Sequence, residues 1–259
     1  SGRVTVLVVL VQMSVLGQME PVSSVLLGQR SVPVTVLVVL VQMSALGQMD
    51  PGASGLLGQR SVPVAVLVEV TQKVPLWLRL TATGRPGHGS APQMQTSVTR
   101  LIRGLKRVSE TEFPVRVIDP VATMFEGLAP YQTAAGQPAV PNIREAVNDT
   151  NYLLGLKLQN PGGHALLRNT CSITTLEGSS KINVVPAEAH AELDCRLLPD
   201  QDPEAFMQQL TDIINDRHIS IEKIMGFTPA VSRTDTPLFE ALKEVADEVY
   251  SANVIPTVA

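Results

Sequence analysis

The stretch GRPGHGSAP, residues 84–92, sets a histidine, His88, between two glycines. An imidazole in such a turn can pass a proton near neutral pH or donate a hydrogen bond to a growing negative charge. Gly87 and Gly89 beside it would permit backbone angles that a bulkier residue resists. The plain alternative is a turn that contains a histidine. The other three histidines do not converge with it: His164 falls in a glycine-rich loop, and His190 and His218 fall at exposed strand positions. Scattered in this way, they do not make a metal site. Cys171 and Cys195 are too few for a disulfide framework and fit no zinc spacing. They are expected to be free thiols in a core.

His88 has to be held by something. At 259 residues, 44% of them apolar, the chain can bury one large core or two small ones. The net charge of −4, with no basic stripe, excludes a nucleic-acid binder of the usual kind. Residues 1–30 and 31–60 are near copies, and a third copy breaks off near residue 70. Each copy reads as a valine-rich strand, a glycine turn and a short apolar piece. Two and a fraction copies are few for a solenoid, and no polar capping unit is present. The segment 1–72 therefore reads as a recent duplication of uncertain order. The run from Val4 to Met19 lacks charge, but polar residues interrupt it and it is short for a bilayer crossing. The expectation on that ground is no membrane role. No signal peptide is visible, which leaves the compartment unknown and the cytoplasm as default.

From about residue 74 the texture changes. LWLRLTATG (76–84) alternates as a half-buried strand does. TSVTRLIRGLKRV (96–108) puts Val98, Leu101, Ile102, Leu105 and Val108 on one helical stripe, with Thr96 or Ser97 as cap. Residues 109–168 read as a long insertion with two short helices, around 121–128 and 143–158, of the kind used as a lid or interaction element. NTCSITTLEG (169–178) and AHAELDCRLLP (189–199) are strands, the second with His190, Glu192, Asp194 and Arg196 on one face. Asp202-Pro203-Glu204 opens a helix, and HISIEKIMG (218–226) is a fourth strand. The order β-α-insertion-β-β-α-β is that of a ferredoxin-like split βαβ unit, with two helices on one face of four antiparallel strands. A helix over TPLFEALKEVADEVY follows, with Asp235 as the expected cap, and then a possible strand in SANVIPTVA.

WLRLTATGRPGHGSAP, NTCSITTLEGSSKINVVPAEAHAELDCRLLPDQDPEAF and TPAVSRTDTPLFEALKEVADEVY together resemble the M20 family of zinc aminoacylases and carboxypeptidases, over about residues 72–259. The carboxypeptidase S and N-acyl-amino-acid hydrolase branch is the nearest in flavour. The resemblance implies a lid, or dimerisation, domain at 73–226 and a partial return into the catalytic domain at 227–259. It implies that His88 reaches into a partner subunit's active site and steadies the carbonyl oxygen as it becomes an oxyanion. Asn183, in NVVP, and Arg196 are implied to hold the substrate's carboxylate or carbonyl. The residue-level alternatives stay open: Asn183 could satisfy the backbone of its own turn, and Arg196 could pair with Asp194 or Glu192.

The resemblance also implies zinc as cofactor, a homodimer, and hydrolysis of amide bonds in N-acyl amino acids or small peptides. The family's metal motifs are a His-x-Asp on a strand end, a bridging Asp, a Glu-Glu pair and a late His. They have no counterpart in this sequence, where the valine repeats occupy the early positions. The expectation is an α+β protein: a ferredoxin-like βαββαβ lid, a fragment of an α/β zinc-peptidase domain, and a valine-rich repeat. Its metal ligands are expected to be none, zinc is not expected to bind this chain alone, and the chain alone is expected to be inactive. The alternative is a non-catalytic dimerisation or binding module.

Overall fold

The computed structural model describes residues 11–13, 41–43, 65–134, 140 and 142–259. Two compact units are present among them. One gathers residues up to Thr71, Asp119–Asn148 and Ser232–Ala259; the other gathers Gln72–Ile118 and Asp149–Val231. The segment 109–168 is thus shared between the units, cut at 118/119 and at 148/149.

In the first unit, β1 (Val11–Met13) and β2 (Val41–Met43) are equivalent pieces of two repeat copies and pair in parallel, Val11 opposite Val41. The rest of the expected repeat architecture before residue 65 lies outside the described residues. β3 (Ala65–Thr71) pairs in parallel with β10 (Asn253–Val258), so the possible strand at the end of the sequence is one. Val66, Val68 and Val70 alternate inward and pack with Phe239 and Ala246 of α7 (Pro237–Tyr250). Parallel pairing requires a crossover, and α7 with its short turn leads straight into β10. The α7 cap is Thr236, whose Oγ1 accepts from the Phe239 amide at 3.2 Å. Asp235, the expected cap, is held instead by Arg233, whose Nε donates to it at 2.7 Å. The remaining elements of this unit are α2 (Asp119–Ala134) and α3 (Ile143–Ala146). Gly127 of α2 lies so close to Ile255 that a Cβ would stand 2.9 Å from Ile255 Cγ2.

In the second unit, four strands form one antiparallel sheet. They are β4 (Val74–Thr83), β6 (Thr170–Glu177), β8 (Glu188–Leu197) and β9 (Ile219–Gly226), in the order β6-β8-β4-β9. β4 and β8 pair over their full lengths, from Val74↔Leu197 to Thr83↔Glu188. Period-2 alternation puts Leu76, Leu78, Leu80 and Ala82 on the same face as Ala189, Ala191, Leu193, Cys195 and Leu197, all buried. α1 (Ser97–Glu110) and α6 (Pro203–Ile214) cover that face through Leu101, Leu105, Val108, Phe206, Leu210 and Ile214. Asp202 caps α6 as expected, accepting from the Glu204 and Ala205 amides. The α1 stripe is rotated from the expected one: Ser97, Leu101, Gly104, Leu105 and Val108 are buried, while Ile102 is exposed. Gly104 explains the rotation, because its bare Cα lets Ile214 and Ile219 approach.

α4 (Thr150–Gln159) and α5 (Pro161–Ala165) precede β6 in the chain. The single helical stretch expected over 143–158 is broken at Val147–Asp149, because Asn142 and Asp149 each act as an N-cap. Lys73 ties this segment to the sheet: its Nζ donates to Ala165 O at 2.9 Å and to Thr170 Oγ1 at 2.8 Å. Burial, with a smaller push from the nearby Arg196 charge, brings its pKa down to about 8.

The two cysteines are not free thiols. Cys171 on β6 stands directly opposite Cys195 on β8, and the two form a disulfide. Two side chains at opposed positions of an antiparallel pair on one sheet face sit close enough to bond. No helix among the described residues is long and apolar enough to cross a membrane.

Candidate functional site

His88 sits where the chain leaves the sheet. Beyond Thr83 the backbone turns, and β5 (Gly87–His88) pairs antiparallel with β7 (Val184–Val185), His88 opposite Val184. The Gly89 amide donates to Asn183 O at 2.8 Å, and the Gly84 amide donates to Ala187 O at 2.8 Å. Ser97 Oγ, fully buried at the start of α1, donates to Pro186 O at 2.8 Å. Two loops far apart in sequence are therefore zipped into one small platform at the end of β4 and the start of β8.

The glycine requirement is not where the histidine suggests. Neither Gly87 nor Gly89 has a left-handed φ. A Cβ on Gly89 would meet nothing closer than 3.5 Å, and one on Gly87 would meet only the movable end of Gln93. Gly84 is the constrained position: a Cβ there would stand 2.5 Å from the Ser97 backbone nitrogen and 3.1 Å from the Thr96 carbonyl carbon. Overpacking against backbone costs about 1–3 kcal/mol. Gly84→Ala is expected to lower thermal stability by that amount, while Gly89→Ala stays near the parent value. Equal melting temperatures for the two variants in a thermal unfolding series would contradict this.

The exposed His88 ring meets Ser90 through Nδ1, at 2.7 Å from Ser90 Oγ and 3.2 Å from the Ser90 amide nitrogen. Its other nitrogen is turned away from these contacts. The Asn183 side chain is exposed as well. Its backbone carbonyl serves the platform, while Ser179 closes the local turn by accepting from the Lys181 amide and donating to Lys181 O. The Asn183 backbone thus lies against the His88 loop, and the residue is exposed.

Arg196 is elsewhere. It faces Pro75 near one end of the β4–β8 ladder, whereas Thr83 and Glu188 mark the other end. Eight strand residues, at roughly 3.3 Å each, separate the two ends by about 26 Å. The structure brings His88 and Asn183 together and leaves Arg196 remote from both. Asp194 holds two of the guanidinium donors, from Nε at 2.7 Å and Nη2 at 3.0 Å, and this pairing raises the Arg196 pKa further. Glu192, the other expected partner, pairs with Arg79.

The remaining histidines have structural surroundings. His190 Nδ1 lies 3.0 Å from Thr81 Oγ1, and the His218 amide donates to Asp216. His164 is in α5, where burial first, then the charges of Arg168 and Lys157, lowers its pKa. Among the described residues no three His, Cys, Asp or Glu side chains are grouped so as to hold a metal ion. These residues do not fit a zinc centre. Ser90 and Ser97 were not legible as site residues in the sequence. For Ser90, the signal was a hydroxyl two positions after a turn histidine. For Ser97, only the fold reveals the burial.

Residues 70–222 match the model of the peptidase dimerisation domain of the M20 family. The chain is 25% identical over 199 residues to the N-fatty-acyl-amino acid synthase/hydrolase PM20D1 of Mus musculus, a match covering 70% of this chain and 36% of that protein. It is 25% identical over 192 residues to the probable carboxypeptidase S-like 2 of Dictyostelium discoideum, covering 73% and 36%. Among solved structures, the M20 family metallo-carboxypeptidase Sso-CP2 of Sulfolobus solfataricus aligns with a TM-score of 0.47 at 19% identity, covering 73% of this chain and 52% of that one. The chain spans little more than a third of the length of the curated relatives it matches. With more than half of its residues inside the family model, the chain belongs to the M20 peptidase family and carries that family's dimerisation domain.

Proposed function

We propose that residues 73–226 are a ferredoxin-like lid that pairs two chains and supplies substrate-binding groups to an M20-type hydrolase of amide bonds in N-acyl amino acids or small peptides. Residues 227–259 are then part of the return into the catalytic domain. One observation carries the reading: His88 and the exposed Asn183 share a platform beyond the Thr83/Glu188 end of the β4–β8 ladder, while Arg196 stands near the other end, about 26 Å along the strands. A small substrate cannot touch all three groups of one chain. Two chains related by a twofold axis can bring His88 and Asn183 of one toward Arg196 of the other.

In this arrangement His88 and Asn183 donate hydrogen bonds to the scissile carbonyl oxygen as it gains negative charge. Donors fixed in advance are worth most there. Arg196 grips a substrate carboxylate with the guanidinium hydrogens that Asp194 leaves over. The family is typically zinc-dependent, and a bound zinc would supply the activated water. The described residues supply donors and no grouped metal ligands; in this reading the chain alone is a dimer-forming binding element without turnover.

The test is an assay of the chain with added zinc on N-acyl amino acids and dipeptides. No turnover above background is expected. Turnover that a chelator abolishes and His88→Ala reduces would overturn the inactivity of the isolated chain.

A further inference from the structure

We propose that Ser90 is a positioning residue that locks His88 in its Nε2–H tautomer, so that the ring presents a neutral hydrogen-bond donor outward. The Ser90 amide points at His88 Nδ1 from 3.2 Å, and a peptide N–H can only donate. Nδ1 must therefore carry its lone pair, and in a neutral imidazole the proton then resides on Nε2. Ser90 Oγ lies 2.7 Å from the same Nδ1 and has a hydroxyl hydrogen to give. A hydroxyl can also accept, so it is the Ser90 amide that selects the tautomer, and the hydroxyl then adds a second donor to the lone pair on Nδ1. A proton on Nδ1 would face the amide hydrogen and lose that bond.

The geometry that holds Ser90 there is local and specific. The Ala91 amide donates to His88 O at 3.0 Å, closing a tight turn over residues 88–91. The β5–β7 pairing and the Gly89 bond to Asn183 O fix the turn from the other side. The ring is held through Nδ1, and Nε2–H is the atom left to meet a ligand. Ser90 touches no substrate in this scheme; it acts through His88.

The inference deepens the reading of His88 as an oxyanion donor and rests on it for its functional meaning. Its test does not. The ring nitrogens of His88 can be observed by long-range proton–nitrogen correlation in the uniformly ¹⁵N-labelled chain, at a pH where the imidazole is neutral. The expected parent spectrum has a protonated Nε2 and an unprotonated, hydrogen-bonded Nδ1. Ser90→Pro removes the amide hydrogen and should lower the Nε2–H to Nδ1–H ratio by about fivefold, the effect of one ordinary hydrogen bond. Ser90→Ala, which keeps the amide and loses the hydroxyl, should retain the parent pattern.

A parent ring found mainly as the Nδ1–H tautomer overturns the proposal. So does a Ser90→Pro spectrum identical to the parent in His88 while the rest of the spectrum remains folded. If the tautomer behaves as expected but the chain proves monomeric, the functional reading fails and the Ser90 assignment stands.

Discussion

Reduction of the Cys171–Cys195 bond is expected to cost the chain about 3 kcal/mol of stability, the largest single effect anticipated. The bond closes a loop with a sequence separation of 24. A cross-link of that span removes roughly this much freedom from the unfolded chain. It also fastens β6, an edge strand of the four-stranded sheet, to β8. Most of β6 beyond Cys171 is exposed, so few buried apolar contacts replace the link when it is cut. Denaturant unfolding with and without a thiol reductant measures the difference, and thiol titration of the denatured, unreduced chain should find none. Two free thiols in that titration would return the pair to the state its sequence suggested. In a reducing compartment the same pair would persist as thiols, so its oxidation state also reports where the chain resides.

Lys73 is expected to make stability rise with alkaline pH. The folded state holds its pKa at about 8 against an ordinary 10.5, because the ammonium is buried near Arg196 and donates to neutral oxygens. Between those two values the unfolded chain binds more protons than the folded one, so unfolding becomes harder as the pH climbs through them. Below pH 8 both states are protonated and the penalty of burying the charge is complete. The gain across the window is on the order of 2 kcal/mol. Urea unfolding at pH 7 and pH 10 should show it in the parent chain, and Lys73→Met should flatten it. The same pH dependence in both proteins would contradict the assignment.

What could be read in advance depended on how far apart the interacting residues are. β8 was legible because alternation is a property of neighbours, and α6 was legible because Asp202, Pro203 and Glu204 declare a helix start by themselves. The α7 cap was misplaced by one residue because Asp235 and Thr236 are both good caps, and only the fold shows Arg233 taking Asp235 away. The α1 stripe turned because Gly104 faces Ile214 and Ile219, contacts that no local pattern contains. The disulfide depended on strand register, which composition and cysteine count do not specify.

The candidate site divided in the same way. His88 stood out by its glycines, yet the glycine that the structure constrains is Gly84, through the start of α1. Asn183 was reachable only through the family resemblance, because its pairing with the His88 loop joins distant segments. The separation of Arg196 from His88 followed only from the β4–β8 register, and it is the fact on which the two-chain reading turns.

The most direct test of that reading is the mass of the purified chain in solution by sedimentation equilibrium. A particle of twice the 27.8 kDa chain mass, persisting on dilution, is the expected result. A single-chain mass at every concentration measured would contradict it, because one chain alone cannot bring His88, Asn183 and Arg196 to the same small substrate.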